Sequence, residues 1–307
     1  MQAKSKVTSA LVDEWIRLER LLDDRIYSDN IMYRNHLSPS IFPAAWASDF
    51  GEDHYGLWMA FTYQGIRLAL RWIPPCTFNM GSPDTEQGRW EDEVLHEVTL
   101  TQGFWLAETT VTQALWLAIK GDNPSHFKGD NRPVEQVSWD DAQAFIQQLN
   151  AILQTLQPEY AFRLPTEAEW EYACRAGTQT PFNFDGDLSL DKVNYRGTWE
   201  YKSDEWGKGA LQATADVKSY PCNPWCLYEM HGNVWEWCQD HWIEQLPKES
   251  ATDPTGTSTG SGRVVRGGSW ISNGRNGRSA IRNRGVAVNR FNLLGFRLAL
   301  GLKLRSG

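Results

Sequence analysis

A chain of 307 residues that is 41% hydrophobic and 12% aromatic can bury one large core, which excludes intrinsic disorder. Its formal net charge of -8 argues against binding to a nucleic-acid phosphate backbone, and no run approaches the roughly 18 apolar residues that a membrane span requires. The opening stretch MQAKSKVTSALVDEW lacks the apolar core of a signal peptide, so the default expectation is a cytoplasmic protein.

In chain order, Leu11, Trp15, Leu18, Leu22 and Ile26 recur at steps of three and four, which predicts an amphipathic helix. Residues 1–54 then read as a helical extension and 55–307 as the main domain. Pro39 and Pro43 mark a loop. YGLWMAFTYQGIRLALRWIPP predicts two strands that turn at Gln64 and Gly65 and end at Pro74. Ser138 with Asp141, and Thr166 with Glu169, each place a capping-box pair ahead of a helical stretch, and Gly177 is a natural stop for the second. From about 178 to 300, glycine, asparagine, proline and tryptophan predict short strands joined by long loops. The 16 tryptophans are expected to pack the core and to donate indole N–H groups to loop carbonyls.

Five cysteines, Cys76, Cys174, Cys222, Cys226 and Cys238, form an odd set that does not read as a disulfide framework. Buried free thiols are the simpler expectation, for CNPWC at 222–226 included. The histidines His36, His54, His96, His126, His231 and His241 are scattered, and none forms a helical metal pair. Glu91, Asp92 and Glu93 read as a solvated acidic loop.

Residues 266–300 hold seven arginines and no aspartate, glutamate or lysine. A guanidinium carries five donors in a fixed fork and can tie several carbonyls or carboxylates at once. Arg275, Arg278, Arg282, Arg284, Arg290 and Arg297 therefore read as framework, with Glu167, Glu169 and Glu171 as candidate partners. An acidic chain with one basic segment gives no broad basic face, so no nucleic-acid partner is expected.

FNMGS at 78–82, RPVEQVSWDDAQAF at 132–145, RLPTEAEWEYACRAG at 163–177, MHGNVWEW at 230–237 and RVVRGGSW…GFRLA at 263–299 stand in order. Together they resemble the sulfatase-modifying factor family of the formylglycine-generating enzyme, over roughly residues 68–300. The resemblance implies an α+β fold of C-type-lectin-like form, with two main helices, small twisted antiparallel sheets and much irregular loop. It also implies two copper-binding cysteines, but those positions fall on Ser272 and Gly277, which supply no thiolate. Neither copper nor iron is expected, since the histidine cluster of the family's iron-dependent branch is missing too; His96 matches a scaffold position at a strand start. Calcium is a possible cofactor: the family's GNxWEW loop matches Glu229, Gly232, Val234 and Glu236, a set of oxygen donors suited to that ion. The family's other calcium loop matches Asn194, Tyr195, Gly209 and Leu211, where a glycine replaces the expected aspartate.

Between the arginines stand Ile271, Ser272, Asn273, Asn276, Ile281, Asn283, Gly285, Val286, Val288, Asn289, Phe291, Asn292 and Leu293. They follow neither helical nor strand periodicity. Apart from asparagine itself, each is reachable from an asparagine codon by replacing adenines alone. This resembles the variable segment, here about 264–300, of diversity-generating retroelement variable proteins, which display a diversified ligand-binding surface on a C-type-lectin fold. The resemblance implies a non-catalytic binding protein for a protein or other macromolecular ligand, with Ile271, Ile281, Val288, Phe291 and Leu293 forming an exposed apolar patch rimmed by asparagines. The alternatives are a divergent metal-dependent oxidase or hydroxylase, and a subunit that recruits peptides for a partner enzyme.

Overall fold

The first hairpin forms where the apolar runs predict it. In the computed structural model, which describes residues 38–40, 42–153, 160–199 and 205–303, strand β2 (Gly56–Tyr63) pairs antiparallel with β3 (Ile66–Ile73). Gln64 (φ 48°) and Gly65 (φ 80°) both take positive φ, the geometry whose twist matches a two-residue hairpin. The helical stripe read at residues 8–27 lies outside the described residues. β1 (Asp49–Asp53) pairs with β2, Asp49 facing Ala60. Residues 49–53 therefore belong to this sheet, and the boundary read at 54/55 cuts through a paired edge.

With β6 (Phe104–Ala107), β7 (Tyr160–Arg163) and β13 (Ala299–Leu302), these strands form a six-stranded sheet in the order β1-β2-β3-β6-β13-β7. The C-terminal strand lies inside the sheet, between β6 and β7. β4 (Cys76–Met80), β5 (His96–Leu100) and β9 (Ala251–Thr252) make a second sheet. The third takes β8 (Trp235–His241), β10 (Arg263–Arg266), β11 (Asn283–Gly285) and β12 (Leu294–Phe296), in the order β11-β10-β8-β12. The short strands and long loops expected after residue 178 are what this part of the chain forms.

Three helices stand among the described residues, against the two expected. The unexpected one, α1 (Gln113–Lys120), is capped by Thr112, whose hydroxyl accepts from Leu115 N, and closed by Gly121 at φ 83°. α2 (Trp139–Leu153) starts on the predicted reciprocal cap: Asp141 N donates to Ser138 Oγ (3.1 Å) and Ser138 N to Asp141 Oδ2 (2.9 Å). Its buried Ala142, Phe145, Ile146 and Leu149 form one face. α3 (Glu167–Arg175) carries the Thr166–Glu169 capping box, and its left-handed terminal residue is Ala176, one position before Gly177.

Two apolar clusters lie between these layers. One joins Trp105, Trp116, Phe145, Phe162, Trp237 and Phe296, with Trp116 stacked on Phe145 at 5.3 Å. The other gathers Phe78, Trp170, Tyr172, Met230 and Cys238 around α3. Each large side chain so buried contributes on the order of 1.5–3 kcal/mol. All five cysteines are free; Cys174, Cys226 and Cys238 are buried, whereas Cys222 is half-buried and Cys76 exposed.

Candidate functional site

The arginines of the C-terminal segment meet carboxylates drawn from most of the domain. Arg266 is fully buried, pairs with Glu171 and donates to the carbonyls of Ser279 (3.0 Å) and Ala280 (3.1 Å). Arg282 grips both oxygens of Glu167 at 2.6 and 3.0 Å. Arg278 spans Glu93 and Glu86, with contacts of 2.5–2.7 Å. Arg297 holds Glu236 through two bonds (2.8 and 3.0 Å) and donates to the carbonyls of Ala107, Glu108 and Tyr228. These bidentate pairs have the geometry in which arginine both neutralises and orients.

The framework role expected of the arginines holds for the buried Arg278, Arg282 and Arg297, whereas Arg284 and Arg290 pair at the surface, and Glu167 and Glu171 are partners as expected. Glu169 is not one of them: it caps α3 and pairs with Arg163 at 2.6 Å. The acidic run at 91–93 is not simply a solvated loop either. Glu93 is completely buried, because Arg278 and the Ser82 hydroxyl compensate its charge there. Burial acts to raise the Glu171 carboxyl, but Arg175, Arg266 and the Gly81 N–H outweigh it and hold it below its ordinary value.

Between the arginines, the backbone is tied down by its carbonyls. Ala287 O accepts from Trp139 N (2.9 Å), Phe291 O from Gln136 N (3.0 Å), Asn292 O from Trp270 Nε1 (3.0 Å) and Leu293 O from Trp235 N (2.8 Å). Arg290, on the same loop, clamps Asp141 at 2.6 and 2.9 Å. The side chains on this fixed backbone point the other way: Val286, Val288 and Phe291 are 53%, 61% and 47% exposed.

The thirteen candidate positions consequently divide. Asn283, Val286, Val288 and Phe291 are exposed, and Ile271, Asn276, Asn289, Asn292 and Leu293 are partly so. Four do not fit a variable surface. Ile281 is 3% exposed in the core with Trp235 and Trp237, so it cannot belong to the expected outer patch. Ser272 is buried, its hydroxyl accepting from Ser269 N (3.0 Å), and Asn273 is buried as the side-chain cap of the turn Gly274–Gly277. Gly285 lies against the Trp237 ring, where a Cβ would come within 2.4 Å of Cζ/Cη atoms, so no larger residue fits without a shift. A cleft of about 370 Å³ is bordered by Trp90, Trp242, Asn276, Asn283 and Arg284. The signal for Trp90, 47% exposed with the Arg275 guanidinium 4.1 Å from its ring, was not read from the sequence.

The two positions matched to copper cysteines are built into hydrogen bonds. Ser272 bonds Ser269, and Gly277 O accepts from His231 Nδ1 at 2.7 Å. His231 Nε2 accepts from Asn183 N (3.2 Å), and burial pushes the imidazole down to about 4, so it stays neutral. His96 is buried with Nδ1 at 2.9 Å from Val94 O. Both imidazoles are thus engaged by backbone.

Within the set Glu229, Gly232, Val234 and Glu236, the two carboxylates are both buried but differ in their surroundings. Glu236 already faces a cation, since Arg297 and the Trp170 indole N–H (2.8 Å) occupy both of its oxygens. Gly232 and Asn194, one from each matched calcium loop, bridge directly through their backbones, and a Cβ on Gly232 would sit 2.3 Å from Asn194 O. Glu229 is buried, and burial pushes its carboxyl up to about 7 although the backbone N–H groups of Lys218 and Tyr220 and the charge of Arg297 act to lower it. Among the described residues no group of three or more His, Cys, Asp or Glu side chains is arranged to hold a metal.

The family described as sulfatase-modifying factor enzyme 1-like domain matches residues 68–302. The formylglycine-generating enzyme of Mus musculus is 33% identical over 219 residues, which is 67% of this chain and 53% of that protein. That of Streptomyces coelicolor is 36% identical over 184 residues, 58% of this chain and 55% of that protein. The chain thus spans about half the length of these curated relatives. Among solved structures, Treponema denticola variable protein 1 superposes with a TM-score of 0.68 at 29% identity, covering 79% of this chain and 98% of that one. PvdO from Pseudomonas aeruginosa gives 0.62 at 24% identity, covering 83% and 99%, a likeness of fold alone. The fold is accordingly the α+β, C-type-lectin-like one that the motifs imply. No described helix is long and apolar enough to cross a membrane.

Proposed function

The chain belongs to the sulfatase-modifying factor enzyme 1-like family, and within it we infer that the protein is a non-catalytic binding protein, a diversity-generating retroelement variable protein whose C-terminal segment displays a diversified recognition surface. One observation carries this: Val286, Val288 and Phe291 project into solvent from a backbone held by carbonyl hydrogen bonds and an arginine clamp, so their identities can change while the scaffold stays. Apolar side chains exposed together, with asparagines around them, suit a protein-sized ligand. The likeness to variable protein 1 of Treponema denticola supports the same reading. Oxidase chemistry is disfavoured because the matched thiolate positions are Ser272 and Gly277, each committed to structure.

The proposed surface comprises Ile271, Asn276, Asn283, Val286, Val288, Asn289, Phe291, Asn292 and Leu293. A display library randomised at these nine positions tests it. Most clones should fold, and selection against unrelated target proteins should return distinct binders. A library in which most clones are unfolded, or a purified protein carrying stoichiometric copper or iron, would overturn the reading.

A further inference from the structure

Away from the exposed valines, a second cleft of about 490 Å³ is lined by four aromatic rings, Phe182, Phe184, Tyr195 and Trp199, with Asp185 and Asp187 beside them. We propose that this cleft is a binding site for an organic cation, specifically the quaternary-ammonium or alkylammonium head of a small ligand or a modified side chain. Its volume lies within the range of roughly 300–1,000 Å³ usual for small-ligand clefts.

The walls suit that chemistry. Phe182 and Phe184 stack at 5.4 Å with their planes 9° apart, and Trp199 meets Phe182 at 77° and 6.4 Å, so ring faces of different orientation border one space. Such faces carry negative quadrupole potential, which attracts an ammonium group without requiring hydrogen bonds. The same loop already holds one ammonium in this way. Lys192 Nζ lies 4.9 Å from the Phe184 ring centre and donates to the carbonyls of Asp185 (2.9 Å) and Asp187 (3.3 Å). That contact uses backbone oxygens. Both aspartates are exposed, and neither carboxylate forms an ion pair with another described residue.

Apart from Lys192 and Arg275, which bond only carbonyls, the positive charge nearby is neutralised. His231 meets Phe182 and Phe184 edge-on at 5.4 and 5.6 Å and is uncharged. Arg175, which donates to Thr180 O, is paired with Glu171, and Arg278 with Glu86 and Glu93. The cleft is also preformed. Asn183, between the two phenylalanines, is anchored by its N–H to His231 and by Nδ2 to Cys174 O (2.9 Å). The carbonyls of Thr198 and Trp199 accept from Gly274 and Arg275. A site needing little rearrangement keeps more of its contact energy as affinity.

Choline and its uncharged isostere 3,3-dimethylbutan-1-ol, titrated into the whole chain by calorimetry, decide the matter. Choline should bind at least about tenfold more tightly than the alcohol, and Phe184→Leu or Asp187→Asn should each weaken choline several-fold while Val288→Ser leaves it unchanged. Equal affinity for the two compounds would show an apolar cleft without cation preference and overturn the proposal, as would failure of choline to bind up to about 10 mM. The isostere comparison needs only the unsubstituted protein, so it decides even if a variant fails to fold. It is also independent of the recognition surface, since Val286, Val288 and Phe291 do not line this cleft.

Discussion

Replacing Arg297 by methionine probes whether the arginine ladder is the scaffold's brace. The guanidinium is fully buried, makes two bonds to Glu236 and three to the carbonyls of Ala107, Glu108 and Tyr228, and thereby joins β6, β8 and the end of β12. Methionine keeps much of the volume but strands the Glu236 carboxylate, which retains only the Trp170 indole N–H. Removing one partner of a buried pair costs about 3–5 kcal/mol before local relaxation, while the Glu108 carbonyl keeps its bond from Tyr228 N (2.8 Å). Arg297→Met should therefore lower unfolding free energy by about 4 kcal/mol, a large share of a typical domain's stability. Glu236→Gln alone should also destabilise. The double variant should lose about 1–2 kcal/mol less than the sum of the singles, because no unpaired charge remains inside. Urea titration at pH 7 followed by tryptophan fluorescence reads all four proteins, with unchanged denaturant slope as the check on two-state behaviour. An Arg297→Met protein within about 1 kcal/mol of the parent would refute the bracing role.

The division of the thirteen positions gives a sharp contrast: Ile281→Ala should cost about 2–4 kcal/mol, whereas Val288→Ser should stay within about 0.5 kcal/mol, both read by urea melts. Gly285→Ala should lower the melting temperature, its methyl group colliding with Trp237, by an overpacking penalty of about 1–3 kcal/mol; an unchanged Tm would restore Gly285 to the variable surface. Thr166→Ala removes the hydroxyl that accepts from Glu169 N and should cost about 1 kcal/mol in the same titration. For pH, burial lifts Glu229 from 4.5 to about 7. A raised carboxyl stabilises the native state fully below its unfolded value, and that advantage disappears as pH climbs through 7, leaving a deficit of about 3 kcal/mol by pH 8 relative to pH 4. Glu229→Gln should accordingly gain on the parent between pH 5 and pH 8; parallel stability–pH curves for the two proteins would contradict this.

Features governed by near neighbours were legible in the residues themselves. The Gln64–Gly65 turn, the Ser138–Asp141 and Thr166–Glu169 caps and the buried face of α2 each depend on groups a few positions apart, so their spacing is their structure. α1 escaped because a helix of eight residues offers little periodicity, although Thr112 and Gly121 mark its ends. Composition likewise showed that a basic segment in an acidic chain must meet carboxylates. Which carboxylates it meets was a tertiary matter: Glu93 reads as one more charge in a loop until Arg278, 185 residues away, arrives to compensate it. The candidate site divides in the same way. A list of residues reachable by adenine replacement says nothing of direction, and only the packed backbone turns Val288 outward, Ile281 into the core and Gly285 against an indole. Local hydrogen-bonding and hydrophobic preferences act over a few residues and are written in order along the chain, whereas burial and charge pairing depend on what the folded chain brings alongside.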